Sequence, residues 1–189
     1  MSKKDLIQGG IILFVLMTIW ALLRSFVFKP ISIQDSSMSP ALIPNEHVLA
    51  FRSSDIKRFD LIAFSLPNKP EQVERIIGFP GDEIHSMEDV LYINGKAIQE
   101  PYLDSYKKKL TIGELFTADF NLESLFNKKV VPKGKYFVLE DNRKENSDSR
   151  KFGFVDKKSM IGKVKFVYWP LKSFGRIDNS ITENADAEK

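Results

Sequence analysis

No cysteine occurs in this chain of 189 residues, and histidine occurs only twice, at His47 and His85. The first absence excludes a disulfide scaffold and any zinc-thiolate site, although it fits an oxidising exterior as well as a reducing cytosol. Neither histidine has a second ligand type near it at metal spacing, so no metal is expected. On separate strand-like segments the two read as surface or core residues rather than as the base of a Ser-His-Asp triad. Glycine-rich phosphate loops are missing too: Gly78-Phe79-Pro80-Gly81-Asp82 reads as a turn following a strand. No motif asks for a cofactor. With 43% apolar and 28% charged residues the balance is that of a globular chain, long enough for one domain or for one domain with an appendage.

Charge of one sign is also in short supply. Lys plus Arg number 28 against 25 Asp plus Glu, and Lys3, Lys4, Arg24 and Lys29 against Asp5 alone account for the whole net +3. The other 24 bases are matched by 24 acids without a basic stripe, which argues against a nucleic-acid partner. From Leu6 to Leu23 the chain has no charge and one strongly polar side chain, Gln8. About 20 apolar residues cross roughly 30 Å of hydrocarbon, a length this run reaches if Phe26, Val27 and Phe28 extend it past a snorkelling Arg24. A single transmembrane anchor over 6–28 is the reading adopted. Its rivals are a cleavable secretory signal, disfavoured because no small-x-small pair follows Ala21, and a buried core helix, disfavoured because the run has no periodicity. Flanking charges leave the orientation open.

Beyond Pro30 the pattern changes to short strands separated by turns. Val48 to Phe51, Leu61 to Leu66, Val73 to Phe79, Leu91 to Ile98, Tyr136 to Leu139 and Gly162 to Trp169 are β-branched or aromatic and of strand length. Asn94-Gly95 between apolar runs predicts a two-residue hairpin. Residues 104–129 read as an insertion with room for one short helix, and 177–189 as a flexible polar tail. The predicted fold is therefore mainly β, antiparallel, over residues 29–176, behind a short N-terminus of residues 1–5 and the anchor.

Three polar clusters stand out: Ile33-Gln34-Asp35-Ser36-Ser37-Met38-Ser39-Pro40-Ala41-Leu42; Val73-Glu74-Arg75-Ile76-Ile77-Gly78-Phe79-Pro80-Gly81-Asp82; and Asp141-Asn142-Arg143-Lys144-Glu145-Asn146-Ser147-Asp148-Ser149-Arg150, followed by Phe152-Gly153. Taken alone, the first reads as a serine-rich linker. The third suits a self-braced loop held by Asp-Arg pairs and side-chain-to-backbone bonds. Their order and content resemble type I signal peptidases, membrane-anchored serine endopeptidases that remove signal peptides from exported proteins. That family has S-M-x-P-T-L with a nucleophilic serine, a strand ending K-R-x-x-G-x-P-G-D with a general-base lysine, and G-D-N-R-x-x-S-x-D-S-R-x-x-G. Ser37 to Leu42 matches the first box with Ala41 for Thr, Arg75 to Asp82 matches the second beyond its first position, and Asp141-Asn142-Arg143 with Asp148-Ser149-Arg150 and Gly153 matches the third. The resemblance runs from the anchor to Trp169 and is strongest to Gram-positive members.

It implies Ser37 as the nucleophile, Glu74 at the position of the general base, and a supporting loop and oxyanion region of Asp35, Ser36, Asp141, Arg143, Asn146, Asp148, Ser149 and Arg150. It also implies substrate contacts at Met38 and Pro40, an antiparallel β-sheet domain of the signal peptidase type, a cytoplasmic N-terminus and an extracytoplasmic β-domain that meets signal peptides by β-addition at the lipid surface. Neither a metal nor a cofactor is implied. The departures fall at the chemistry: Glu74 for Lys, Asp35 for a small residue beside the oxyanion hole, Asn146 for Ser, and Glu140 for the leading Gly. A shorter carboxylate replaces a neutral amine, and an anion opposes the developing oxyanion. On a strand Gln72, Glu74 and Ile76 share one face, so Arg75 points away from Ser37. Lys69 lies in a turn near Pro70. Two functions follow: a signal peptidase with Glu74 as an unusual base or with another group recruited in the fold, favoured by the retained Ser37, or a catalytically inactive relative that acts as an assembly factor or chaperone for secreted surface or pilus proteins, favoured by the loss of the lysine.

Overall fold

A computed structural model describes residues 3–52 and 55–177. All of the expected polar tail except Ile177 therefore lies outside the described residues. The chain opens with helix α1 (Lys3–Val27) in the segment read as an anchor. Its described side chains from Ile7 to Leu22 are exposed along their whole length. Among the described residues no helix is long and apolar enough to cross a membrane. At Val27 the helix passes without a linker into β1 (Phe28–Ser32). Two interactions hold that junction: the Arg52 amide donates to the Val27 carbonyl at 3.1 Å, and the Phe28 and Phe51 rings lie 6.1 Å apart.

The rest is antiparallel β. The strands are β1, β2 (His47–Phe51), β3 (Leu61–Phe64), β4 (Gln72–Gly78), β5 (Ile84–Met87), β6 (Val90–Ile93), β7 (Lys96–Ile98), β8 (Phe120–Asn121), β9 (Lys135–Leu139), β10 (Val155–Asp156), β11 (Met160–Trp169) and β12 (Gly175–Arg176). One eight-stranded sheet runs β1-β2-β11-β3-β4-β9-β10 with β12 on β11, and a four-stranded sheet runs β7-β6-β5-β8. Each of the six expected segments holds a strand, and Leu91 to Ile98 holds part of β6 and the whole of β7 around its turn. Asn94 (φ 53°) and Gly95 (φ 75°) form the two-residue turn between β6 and β7, with Ile93 opposite Lys96. Gly78 to Asp82 is a turn, as read: the Asp82 amide donates to the Phe79 carbonyl at 3.0 Å, and Gly81 takes the positive φ of 94° that favours glycine.

The insertion differs from its expected content. Besides α2 (Asp104–Lys107) it holds α3 (Leu122–Phe126) and strand β8, which pairs with β5 through Ser86 and His85. Asn121 caps α3, its side chain accepting from the Ser124 amide at 2.7 Å. Ile62, Phe64, Ile76 and Val138 pack on one face of the large sheet, whereas Phe59, Ile77, Ile84, Leu91 and Phe137 fill the space between the two sheets. Both faces of β3 and β4 are buried, which explains why these strands read as continuous apolar runs and why any polar side chain on them must be accounted for.

Candidate active site

The segment that read as a serine-rich linker is an ordered strap. Met38 and Leu42 are buried in the core beside β2, and the Leu42 amide donates to the Met38 carbonyl at 2.9 Å. The strap is fixed at its centre from outside, because the Asn142 amide donates to the Ser37 carbonyl at 2.8 Å. Ser36 donates through Oγ to Glu145 at 2.7 Å, away from the cavity described next. Asp35 Oδ1 accepts the Ser37 amide at 3.1 Å. That amide is the donor an oxyanion beside Ser37 would need, and here a carboxylate holds it.

Strand β4 delivers the second half of the site. Gln72 and Glu74 reach a small cavity whose walls also include Asp35, Ser37, Glu71 and Glu140, with Met38 and Val73 at its apolar side. Among the described residues no lysine, arginine or histidine lines it. Lys69 instead lies 5.5 Å from the centre of the Phe152 ring, His47 lies tilted against Tyr168 with ring centres 5.8 Å apart, and His85 stacks on Tyr92. Among the described residues the Ser37 hydroxyl makes no hydrogen bond. Pro40 is exposed and outside the cavity, whereas Met38 forms part of its wall.

Glu74 is 2% exposed, and neither carboxylate oxygen has a hydrogen-bond partner. Burial, then repulsion from Asp148 and Glu140, pushes its carboxyl well above the ordinary glutamate range against weaker pulls from Lys69 and Arg150. Glu140 is 3% exposed and accepts the Ser147 amide at 3.2 Å. Burial raises its carboxyl to about 7, with Asp148 and Glu145 adding to the rise. Glu140 was visible in the sequence only as a missing glycine; its place at the end of β9, next to β4 in the sheet, brings it to the cavity.

On the opposite face of β4, Arg75 makes a bidentate pair with Asp141 at 2.7 and 2.5 Å and donates to the Phe59 carbonyl at 2.9 Å. Its guanidinium lies 4.1 Å from the centre of the Tyr102 ring. Burial alone would lower the Arg75 pKa, but the Asp141 carboxylate raises it. Arg143 donates to the Glu140 carbonyl at 2.8 Å and pairs with Glu100, while Arg150 grips Asp148 at 2.9 and 2.7 Å. Ser149 Oγ accepts the Val138 amide at 3.0 Å, tying this loop to β9. Asn146 sits exposed at the turn with φ 51°, apart from the cavity. The third cluster is thus a rigid brace, and through Asn142 it sets the position of the Ser37 main chain. Glu100 and Tyr102, which complete the brace, carry no signal in the sequence because they come from a different part of the chain.

Ser37 thus lines a cavity with buried carboxyls on an antiparallel β-scaffold, with no imidazole among the described lining residues. The family described as signal peptidase, peptidase S26, matches residues 6–169, and this chain belongs to it. It is 46% identical over 165 residues to signal peptidase I of Bacillus caldolyticus, covering 85% of this chain and 90% of that protein. It is 36% identical over 180 residues to signal peptidase IB of Staphylococcus aureus, covering 91% of this chain and 94% of that one. The crystal structure of a signal peptidase I from Enterococcus faecalis is similar with a TM-score of 0.56 and 43% identity, covering 58% of this chain and 97% of that chain. The family is one of serine peptidases, so the chain is placed among hydrolases.

Proposed function

We propose that this protein removes signal peptides from exported preproteins, with Ser37 as nucleophile and Glu74 as its base, while anchored in the cell membrane by the N-terminal helix with the β-domain outside. One observation carries the chemistry: Ser37 and Glu74 line the same cavity, and Glu74 reaches it with both carboxylate oxygens unpartnered. A carboxyl whose pKa is raised by burial is a better proton acceptor near neutral pH than an ordinary glutamate. Ser37 Oγ attacks the peptide carbonyl as Glu74 takes its proton, and the proton then passes to the leaving amine. The acyl-serine is cleared by water activated in the same way. Asp141, Arg143, Asp148, Ser149 and Arg150 act at a distance by fixing the strap, and Met38 shapes the wall beside the scissile bond. Homology to signal peptidases across almost the whole chain supports the substrate class.

The test is cleavage of a preprotein by the detergent-solubilised full chain. Ser37→Ala is expected to abolish cleavage, and Glu74→Gln to lower kcat by about 10² to 10⁴. The wild-type rate is expected to rise with pH as Glu74 ionises. No cleavage by the wild type, with gain of cleavage in Glu74→Lys, would overturn the role given to Glu74 and leave a binding protein on a peptidase scaffold.

A further inference from the structure

The cavity beside Ser37 holds an unusual set of unsatisfied groups. Besides Glu74 Oε1 and Oε2, Gln72 Oε1 is buried without a hydrogen-bond partner, and both residues line the cavity from the same face of β4. Three buried acceptors thus belong to two residues that line the same cavity, with two further carboxyl groups, those of Asp35 and Glu140, in its wall and no cationic side chain among the described lining residues. Glu71, at the rim, is already engaged by Lys29. An unpaired buried acceptor is costly, and a buried carboxylate more so, unless a donor of opposite charge arrives.

We propose that this cavity binds a primary ammonium group, whose three N–H donors match the acceptors of Glu74 and Gln72. An alcohol or amide brings too few donors and no charge. A guanidinium is a wide planar fork, poorly suited to a small cavity with acceptors placed along one strand. An anion is repelled by every carboxylate in the wall. The source is either a lysine side chain of a peptide laid beside Ser37 or a free alkylamine. The inference stands on the cavity alone and holds whether or not Ser37 cleaves a peptide.

Binding has a definite pH dependence. Glu74 faces Glu140 from β9, Asp148 and Arg150 from the bracing loop, Lys69 from the preceding turn, and Asp35 from the strap, and burial with the acidic neighbours favours its protonated form. An entering ammonium displaces that proton, so affinity increases from pH 5 to pH 8, well below the ordinary amine pKa of about 10.4.

Isothermal titration of the full chain in detergent micelles tests this with n-butylammonium, a blocked extended peptide containing lysine, and the same peptide with norleucine. The lysine peptide or n-butylammonium is expected to bind saturably, with the lysine peptide at least about tenfold tighter than its norleucine counterpart. Glu74→Gln is expected to remove that preference and Gln72→Leu to weaken it, each checked by circular dichroism for a native fold. Lysine peptide tighter than n-butylammonium identifies a peptide source; n-butylammonium equal or tighter identifies a free amine. Equal binding of the lysine and norleucine peptides together with no saturable n-butylammonium binding overturns the proposal. So does an ammonium preference that survives in a folded Glu74→Gln protein, or an affinity unchanged between pH 5 and pH 8.

Discussion

Burial and neighbouring acids hold Glu74 and Glu140 protonated further up the pH scale than free glutamates. For Glu140 the consequence for stability has a definite sign. Its folded-state value of about 7 exceeds the ordinary 4.5, so the native state binds the proton more tightly. Its contribution is therefore fully present below about pH 4.5 and is lost as pH rises through about 7. Glu140→Gln keeps an acceptor for the Ser147 amide while removing the titration. Thermal melts are expected to show the variant gaining on wild type as pH rises from 5 to 8, with the larger Tm difference at pH 8. Asp35 permits a second test. Asp35→Gly frees the Ser37 amide from its carboxylate and removes an anion from the cavity, and preprotein cleavage assays are expected to show kcat raised by about tenfold, a fraction of the 10² to 10³ that one oxyanion donor is worth. Unchanged kcat would mean that the amide does not serve the oxyanion.

Alternation along β4 separates two tasks, placing Gln72 and Glu74 at the cavity and Arg75 in the brace. Arg75→Met leaves Asp141 as a buried charge without its partner and is expected to cost about 3 to 5 kcal/mol in urea denaturation. Arg75→Met combined with Asp141→Leu is expected to recover much of that loss, since an apolar pair avoids the stranded charge. Much of this level was legible in the residue pattern. The Asn94-Gly95 turn, the two faces of β4 and the Asp148-Arg150 bracing follow from local rules. Strands β8, β10 and β12 do not, because each is two residues long and exists only through a partner supplied by the rest of the fold. The strap was misleading for a related reason: three serines suggested a linker, while the burial of Met38 and Leu42 that orders it depends on a core built by distant strands. Arg143 was readable as part of a cluster, but not its pairing with Glu100 and Tyr102, 43 and 41 residues away.

At the scale of the whole molecule, the excess positive charge belongs to the N-terminal segment and the remainder is balanced. With α1 proposed as the anchor, the full chain is expected to stay in the pellet when membranes are washed with alkaline carbonate, whereas a peripheral protein held by charge would be released; immunoblotting of the two fractions distinguishes them. The direct passage from Val27 into β1 then acquires a metric meaning. Five residues of extended chain at about 3.3 Å each place Ser32, at the cavity wall, no more than about 17 Å from the end of the helix. On that proposal the junction would work as a ruler: a preprotein held in the same bilayer by its own apolar segment would have to present its scissile bond within that height, so the spacing between membrane exit and cleavage point would be metered by β1 as well as by side-chain fit in the cavity.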